Sequence, residues 1–443
     1  MKKFLAMLLA LTMAAGALAG CAASGTESAA ESAPAESAAA AEDGEEATDD
    51  TASVVEEDGP TGDPIYFAWY GPLTGDSKQY GDTERVAVEL ALEKINGEWG
   101  GVLDGRPIVV DFYDDKNDAK EAVTIANKIV GEGKYVASIG GFGSTPSMAA
   151  APIYEEAQII NYSPTSSHQN YSSLGDYIFR NTPTQALETA AYAEYVYNDL
   201  GIRSVCILNV NDDWGNNIAT IFSDTFTEMG GEVLNSESYL PNQTTDFTPM
   251  ISKAKSLGAE AFFPVAYYQD SANILKQADG LDWHPQMILS SSCLKQELID
   301  LAGDLANGCF LMNAYTPDID TDRFREVVAA YEERTGKAGD AFLMQTYDVV
   351  MQLATAINEA GSADPTVVRD TLAGMTDYEC LAGTYSMNEV GDAVRPLQPI
   401  RIIDGEFVNI SNGDPSKEAA EEAPAAEEEA PAEEAPASSE AAA

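Results

Sequence analysis

The chain has 443 residues, with 73 acidic side chains against 24 basic ones and a formal net charge of −49. A surface this acidic repels nucleic acid and anionic lipid headgroups, so no nucleic-acid partner is expected. Five cysteines without a CxxC pair and two histidines far apart in the chain give no metal-ligand spacing. No nucleophile with a paired base is legible either, so neither a cofactor nor an enzymatic activity is expected.

Lys2 and Lys3 precede an apolar run at 4–19. It is shorter than the ~20 residues that span a bilayer, so residues 1–20 read as a signal peptide rather than a permanent span. The run closes with Leu18-Ala19-Gly20-Cys21, which resembles a bacterial lipobox. The resemblance implies that Cys21 becomes a lipidated N-terminus, anchoring the protein on the extracytoplasmic face of the cell membrane as in a Gram-positive-type surface lipoprotein. Residues 21–62 are then an acidic linker of Ala, Ser, Glu, Asp and Pro, with too few large apolar side chains to fold. As a flexible coil it reaches ~35 Å. Residues 411–443 repeat EEAPA-like units and are disordered by composition. Discounting these ends leaves about −29 on the part between them.

That part alternates short apolar runs with amphipathic segments. PIYFAWY reads as a strand, followed by the turn 71–75 and a helix from Asp82 to Asn96 and Gly97, with Val86, Leu90 and Ala91 as its buried stripe. A strand PIVVDFY and a helix over about 117–131 come next. This β-α-β-α order implies a parallel sheet between helices.

The stretch 134–170 is the centre of the chain. It reads as a strand at 135–139, a turn containing Gly140, Gly141 and Gly143, a helix over about 145–156, a second strand at 159–162 and a hydroxyl-rich turn at 163–167. Glycines let backbone approach a bound group closely, and the start of a helix leaves N–H donors without partners, so Ser144 and Ser147 stand where an anion is favoured. The bland alternative is that these residues only cap a helix and make turns. Two such turns in succession at the carboxyl ends of strands, where open α/β sheets bind ligands, favour a site. Gly-Gly-Phe-Gly before a helix also loosely matches a dinucleotide loop, but the fingerprint is incomplete.

A second series follows: helices at about 184–199, 214–229, 246–257 and 271–278 alternate with strands at 204–210, 232–239 and 259–265, and two more strands fall near Met287 and Cys309. Helices at 320–335, 341–360 and 365–373 and short strands after Gly383 complete the folded part. Cys206, inside SVCILNV, reads as a buried thiol. Export permits a Cys293–Cys309 disulfide, which sequence cannot decide. His168 and His284 read as surface or loop residues.

Taken in order, Gly71-Pro72-Leu73-Thr74-Gly75, Gln79-Tyr80-Gly81-Asp82, Gly105-Arg106-Pro107, Asp114-Asp115, Ala150-Ala151-Pro152, Ser163-Pro164, Asp213-Trp214-Gly215 and Asp246-Phe247 resemble the branched-chain amino acid binding proteins of ATP-driven (ABC) importers. The resemblance covers essentially the whole folded part. It implies an α/β, type I periplasmic-binding-protein fold, with two Rossmann-like lobes joined by a three-segment hinge. Lobe 1 would take 63–181 plus 314–380, and lobe 2 would take 182–313 plus 381–410, with crossovers near Asn181, Asn313 and Leu381.

Carried over residue by residue, the resemblance implies that Ser144 and Ser167 hold a ligand's carboxylate and amino group, helped by backbone at Ser166. Tyr80 would line the first lobe's side, Trp214 would cover the ligand on closure, Tyr267 would complete the amino-group site and Phe142 would border the side-chain pocket. Core packing is the bland alternative for Tyr80, Trp214 and Tyr267. The family places an acid near the end of the strand at 287–289, whereas this chain has Ser290-Ser291-Ser292 there, with Ser291 among the expected ligand contacts. An unpaired ammonium in a closed cleft is costly. Either another acid such as Asp270 or Asp348 supplies the charge, or the ligand is an amide, urea, aromatic acid or short peptide. The expected function is a monomeric solute-binding lipoprotein that captures a small amino acid and delivers it to a membrane permease. The rival is a sensing module for a kinase or chemoreceptor.

Overall fold

A computed structural model describes residues 50–52 and 59–415. The expected signal peptide, the expected lipidation site Cys21, most of the linker and the tail beyond 415 lie outside the described residues.

The first sheet has six strands in the order β1-β3-β2-β4-β5-β6, namely β1 (Asp50–Ala52), β2 (Ile65–Gly71), β3 (Ile108–Asp114), β4 (Tyr135–Ile139), β5 (Ile160–Ser163) and β6 (Ile178–Arg180). All pairings are parallel except that of β1, which runs antiparallel along the edge of β3. The linker therefore does contribute structure at 50–52: an edge strand is held by main-chain hydrogen bonds and needs no large apolar side chains. The near-continuous burial of β2 and β3 is what a parallel sheet covered on both faces requires.

Helices α1 (Lys78–Leu92), α2 (Ala119–Glu132) and α3 (Ser144–Ala157) cover this sheet. Asp118 caps α2 by accepting from the amides of Lys120 and Glu121, and Gly133 at φ +64° ends it. Asp82 does not start α1; it lies one turn inside the helix and pairs with Lys78.

In the second lobe, helices α4 (Gln185–Asn198), α5 (Asp213–Glu228), α6 (Thr248–Leu257), α7 (Tyr268–Gly280) and α8 (Gln296–Ala302) alternate with strands β7 (Ser204–Val210), β8 (Glu232–Tyr239), β9 (Ala261–Val265), β10 (Gln286–Met287) and β11 (Phe310–Asn313). The parallel sheet β10-β9-β7-β8 continues through an Ile288–Phe310 bridge into β11. Helices α9 (Asp322–Thr335), α10 (Ala341–Ala360) and α11 (Pro365–Ala373) return to the first lobe, where α10 packs on α1.

The strands at the end of the chain divide differently from the expectation. β12 (Tyr378–Cys380), β13 (Gly383–Met387) and β14 (Ala393–Val394) form a small sheet against the first lobe, where the Tyr385 hydroxyl lies 3.2 Å from that of Tyr162 and Asp392 bridges Arg180. β15 (Gln398–Ile403) and β16 (Glu406–Asn409) extend β11 in the second lobe. The third crossing thus falls at 395–397, not at Leu381. There Arg395 ties the three crossings together. It donates to Asn181 Oδ1 at 2.7 Å, lies 4.8 Å from the Tyr315 ring centroid and sits 3.7 Å from Asp348.

Cys206, Cys293, Cys309 and Cys380 are all buried free thiols, so the Cys293–Cys309 disulfide is not formed.

Candidate functional site

The site is built where β4 ends. Gly140, at φ +135°, passes so close to β2 that a Cβ there would lie 2.2 Å from the Tyr70 carbonyl oxygen, and one on Gly143 would lie 2.2 Å from Asn117 Oδ1. Backbone pressed this tightly needs glycine. The turn delivers the start of α3 with Gly143 extended and no side-chain cap, leaving its first amides open. Ser144 stands there, 2% exposed, and its Oγ has no hydrogen-bond partner among the described residues.

The lobes are closed over this point. Asp213 N donates to Thr145 Oγ1 at 3.3 Å, and Tyr268 N to the Tyr80 hydroxyl at 3.4 Å. Lys295 of the second lobe forms a buried ion pair with Asp340 of the first. Between them lies a cavity of about 60 Å³. One water needs about 10–15 Å³ on that measure, so the space suits a small solute. Its walls include Phe142, Ser144 and Ser167 from the first lobe and Trp214, Tyr267 and Ser291 from the second. Trp214 and Tyr267 stack with centroids 5.0 Å apart and 15° between planes, making an aromatic wall. A wider cleft outside, about 560 Å³, shares Ser144 and Tyr267 with the cavity.

Three expected residues are near the cavity but not on its wall. Tyr80 is fully buried behind Phe142, stacked on it at 4.7 Å. Ser147 turns its hydroxyl back to the carbonyls of Gly141 and Gly143, at 3.1 and 2.7 Å. The Ser166 amide, expected to help hold the ligand, donates to Ser163 Oγ at 2.9 Å. All three stiffen the turn that aims Ser144 and Ser167.

Neither acid suggested for an ammonium reaches the cavity. Asp270 accepts from the Tyr239 hydroxyl at 2.7 Å and lines the outer cleft, while Asp348 belongs to the Arg395 cluster at the hinge.

The cavity does hold an acid that sequence reasoning missed. Glu188, at the head of α4 and 7% exposed, is the one charged residue on the wall among the described residues. Burial pushes its carboxyl up to about 7, against a smaller opposing effect of its hydrogen bond with Ser291. Glu188, Tyr192 and Val196 lie on the buried face of α4 at a spacing of four, so an acid at the head of an apolar stripe was the available signal. Phe342 and Gln345 also line the cavity from α10, whose burial along nearly its whole length hides them in sequence.

A two-lobed α/β molecule closed on a polar cavity at strand ends is a solute-binding architecture. The family model described as periplasmic binding protein matches residues 64–406. The chain therefore belongs to that family. It is 28% identical over 334 residues to a leucine-, isoleucine-, valine-, threonine- and alanine-binding protein of Pseudomonas aeruginosa, covering 74% of this chain and 87% of the other. A crystal structure of a leucine-binding protein from Thermotoga maritima superposes with a TM-score of 0.72 at 25% identity, covering 78% of this chain and 97% of that one. A solute-binding protein from Rhodopseudomonas palustris, in complex with 3,4-dihydroxybenzoic acid, reaches the same TM-score at 23% identity over 79% and 96% of the two chains. The last likeness is one of fold. This chain is likewise a solute-binding protein of the ABC-transporter type.

Proposed function

We propose that the protein is an extracytoplasmic, lipid-anchored receptor that captures a small amino acid, branched-chain or related, and presents the closed form to the permease of an ABC importer. The observation that carries this reading is the Ser144 hydroxyl, buried without a partner among the described residues, beside the open amides of α3 and lining a cavity between two lobes. An unsatisfied buried polar group costs free energy unless a ligand completes it, and helix-start amides with hydroxyls suit a carboxylate. The named binders of branched-chain amino acids among the relatives support the same ligand class.

The aromatic walls from Phe142, Trp214, Tyr267 and Phe342, with the fold shared by the dihydroxybenzoate binder, favour a second reading: an aromatic acid. Calorimetric titration with the common amino acids, benzoate and 3,4-dihydroxybenzoate separates the two. At least one aliphatic amino acid is expected to bind; binding of the aromatic acids alone would replace the first reading with the second. Anchoring rests on Cys21 in Leu18-Ala19-Gly20-Cys21. Cys21→Ser is expected to move the protein from the membrane fraction to the medium, and retained attachment would refute the anchor.

A further inference from the structure

Glu188 is a buried carboxyl with no cation paired to it among the described residues. Among the described residues no lysine or arginine forms an ion pair with it, and its hydrogen-bonding neighbour is Ser291. The groups around it are committed elsewhere. One turn earlier, Gln185 donates to the Trp214 carbonyl at 2.9 Å and accepts from Asn217 at 2.5 Å. One turn later, the Tyr192 hydroxyl donates to the carbonyl oxygens of Leu289 and Met312 and accepts from the Met312 amide at 2.8 Å. Asn313 donates from its Nδ2 to the Ser291 carbonyl at 3.2 Å and accepts at its Oδ1 from the Tyr315 amide at 2.9 Å. Lys295, the buried lysine of this lobe, is held by Asp340.

A carboxylate offers about four acceptor positions, and an ionised one taken from water without a cation is expensive. The open space beside Glu188 is the cavity itself. The first lobe's wall brings Ser144 and Ser167, hydroxyls at the anion-favouring end of the site, and no positive side chain lines the cavity among the described residues. The pocket therefore offers two chemically opposite features to a guest: donors for an anion and one acid for a cation.

We propose that Glu188, on the first turn of α4, takes the ammonium of the ligand, replacing an acid on the rim at 290–292, and so restricts the cavity to zwitterions. The proposal rests on the amino-acid reading above and sharpens it, since an aromatic acid has no cation to offer. Ser291, in place of a rim acid, orients the Glu188 carboxyl by hydrogen bonding to it.

The test uses calorimetry on the wild type and Glu188→Gln with L-leucine, L-valine and L-alanine, each matched to the acid lacking its amino group (4-methylpentanoate, 3-methylbutanoate and propanoate). The wild type is expected to prefer each bound amino acid over its partner acid by about 100-fold or more. Glu188→Gln is expected to weaken amino-acid binding by about 30-fold or more, as loss of one member of a buried charge pair does. It should leave the partner acids unchanged or tighter, so the preference collapses. A purely structural role for Glu188 would weaken both classes alike. Retention of amino-acid affinity within about threefold in Glu188→Gln overturns the proposal, as does a wild type that binds the partner acids equally well. The second result needs no variant and decides the matter even if Glu188→Gln fails to fold. A wild type that binds no amino acid overturns the functional reading itself, whereas one that binds leucine and ignores the substitution overturns only the role of Glu188.

Discussion

Lys295 of the second lobe and Asp340 of the first form a buried ion pair beside the cavity, with Lys295 Nζ 5.2 Å from the Tyr80 ring centroid. Asp340 also caps α10 by accepting from the Leu343 amide at 3.0 Å. Burial by itself would depress the Lys295 ammonium, but Asp340 and Glu297 outweigh it and leave its pKa raised. The pair joins the two lobes, so it is made on closure. Lys295→Met strands a buried carboxylate in the closed form only, a cost of about 3–5 kcal/mol that opening relieves. The expected result is ligand affinity lowered at least about tenfold, recovered in part by Lys295→Met with Asp340→Asn. Titration of the three variants checks this, and unchanged affinity in the single variant would show that closure does not depend on the pair.

Ser144 is expected to contribute most among the hydroxyls. Its Oγ has no partner among the described residues, whereas Ser147 and Ser163 donate to main-chain carbonyls. Ser144→Ala should weaken binding by about 1.5–3 kcal/mol, the range for a hydrogen bond to a charged group, with little change in the melting temperature of the empty protein. Ser147→Ala should do the reverse: the loop loses a tether and the ligand loses no contact.

The strand at 204–210 was legible because a sheet buried on both faces demands an apolar run, and the largely exposed edge strand 232–239 and the helix 341–360 also fall where the sequence puts them. The Gly-rich turn and Ser144 were legible for the same kind of reason, since close backbone approach leaves only glycine. Glu188 was not, because a single acid in a helix normally faces water, and only the tertiary packing of α4 beside Ser291 buries it. Asp270 and Asp348 have the right chemistry, and only tertiary placement removes them. The position of the third crossing escaped because β12 to β16 are short and similar, and pairing with Tyr162 or with β11 is decided at long range.

Trp214 closes the cavity from the first turn of α5, held by Gln185 at its carbonyl and by the Tyr267 stack. In the open form the indole loses the facing lobe, so its contacts act mainly against ligand escape. Trp214→Ala is expected to raise the dissociation rate by about tenfold or more while altering association less, as most interface changes do. Stopped-flow release of L-leucine measures both rates. An unchanged dissociation rate would leave Trp214 as packing alone.

Glu84 and Asp115 are fully buried carboxyls beneath the site. Burial, with the Asp115 charge adding to it, pushes Glu84 up to about 8; burial likewise pushes Asp115 up to about 7. An unfolded chain releases these protons near pH 4. Between pH 4 and 8 the folded state therefore holds protons that the unfolded state has lost, and stability falls as pH rises. It is full below the unfolded pKa and declines through the folded values. Glu188, raised to about 7 in the empty protein, acts in the same direction. The melting temperature of the ligand-free protein should drop from pH 5 to pH 8.5, and Glu84→Gln should flatten the drop by removing the largest of these shifts. Differential scanning calorimetry across that range reads the slope. A melting temperature that rises with pH, or an unaltered slope in Glu84→Gln, would mean that these carboxyls are already ionised in the folded protein.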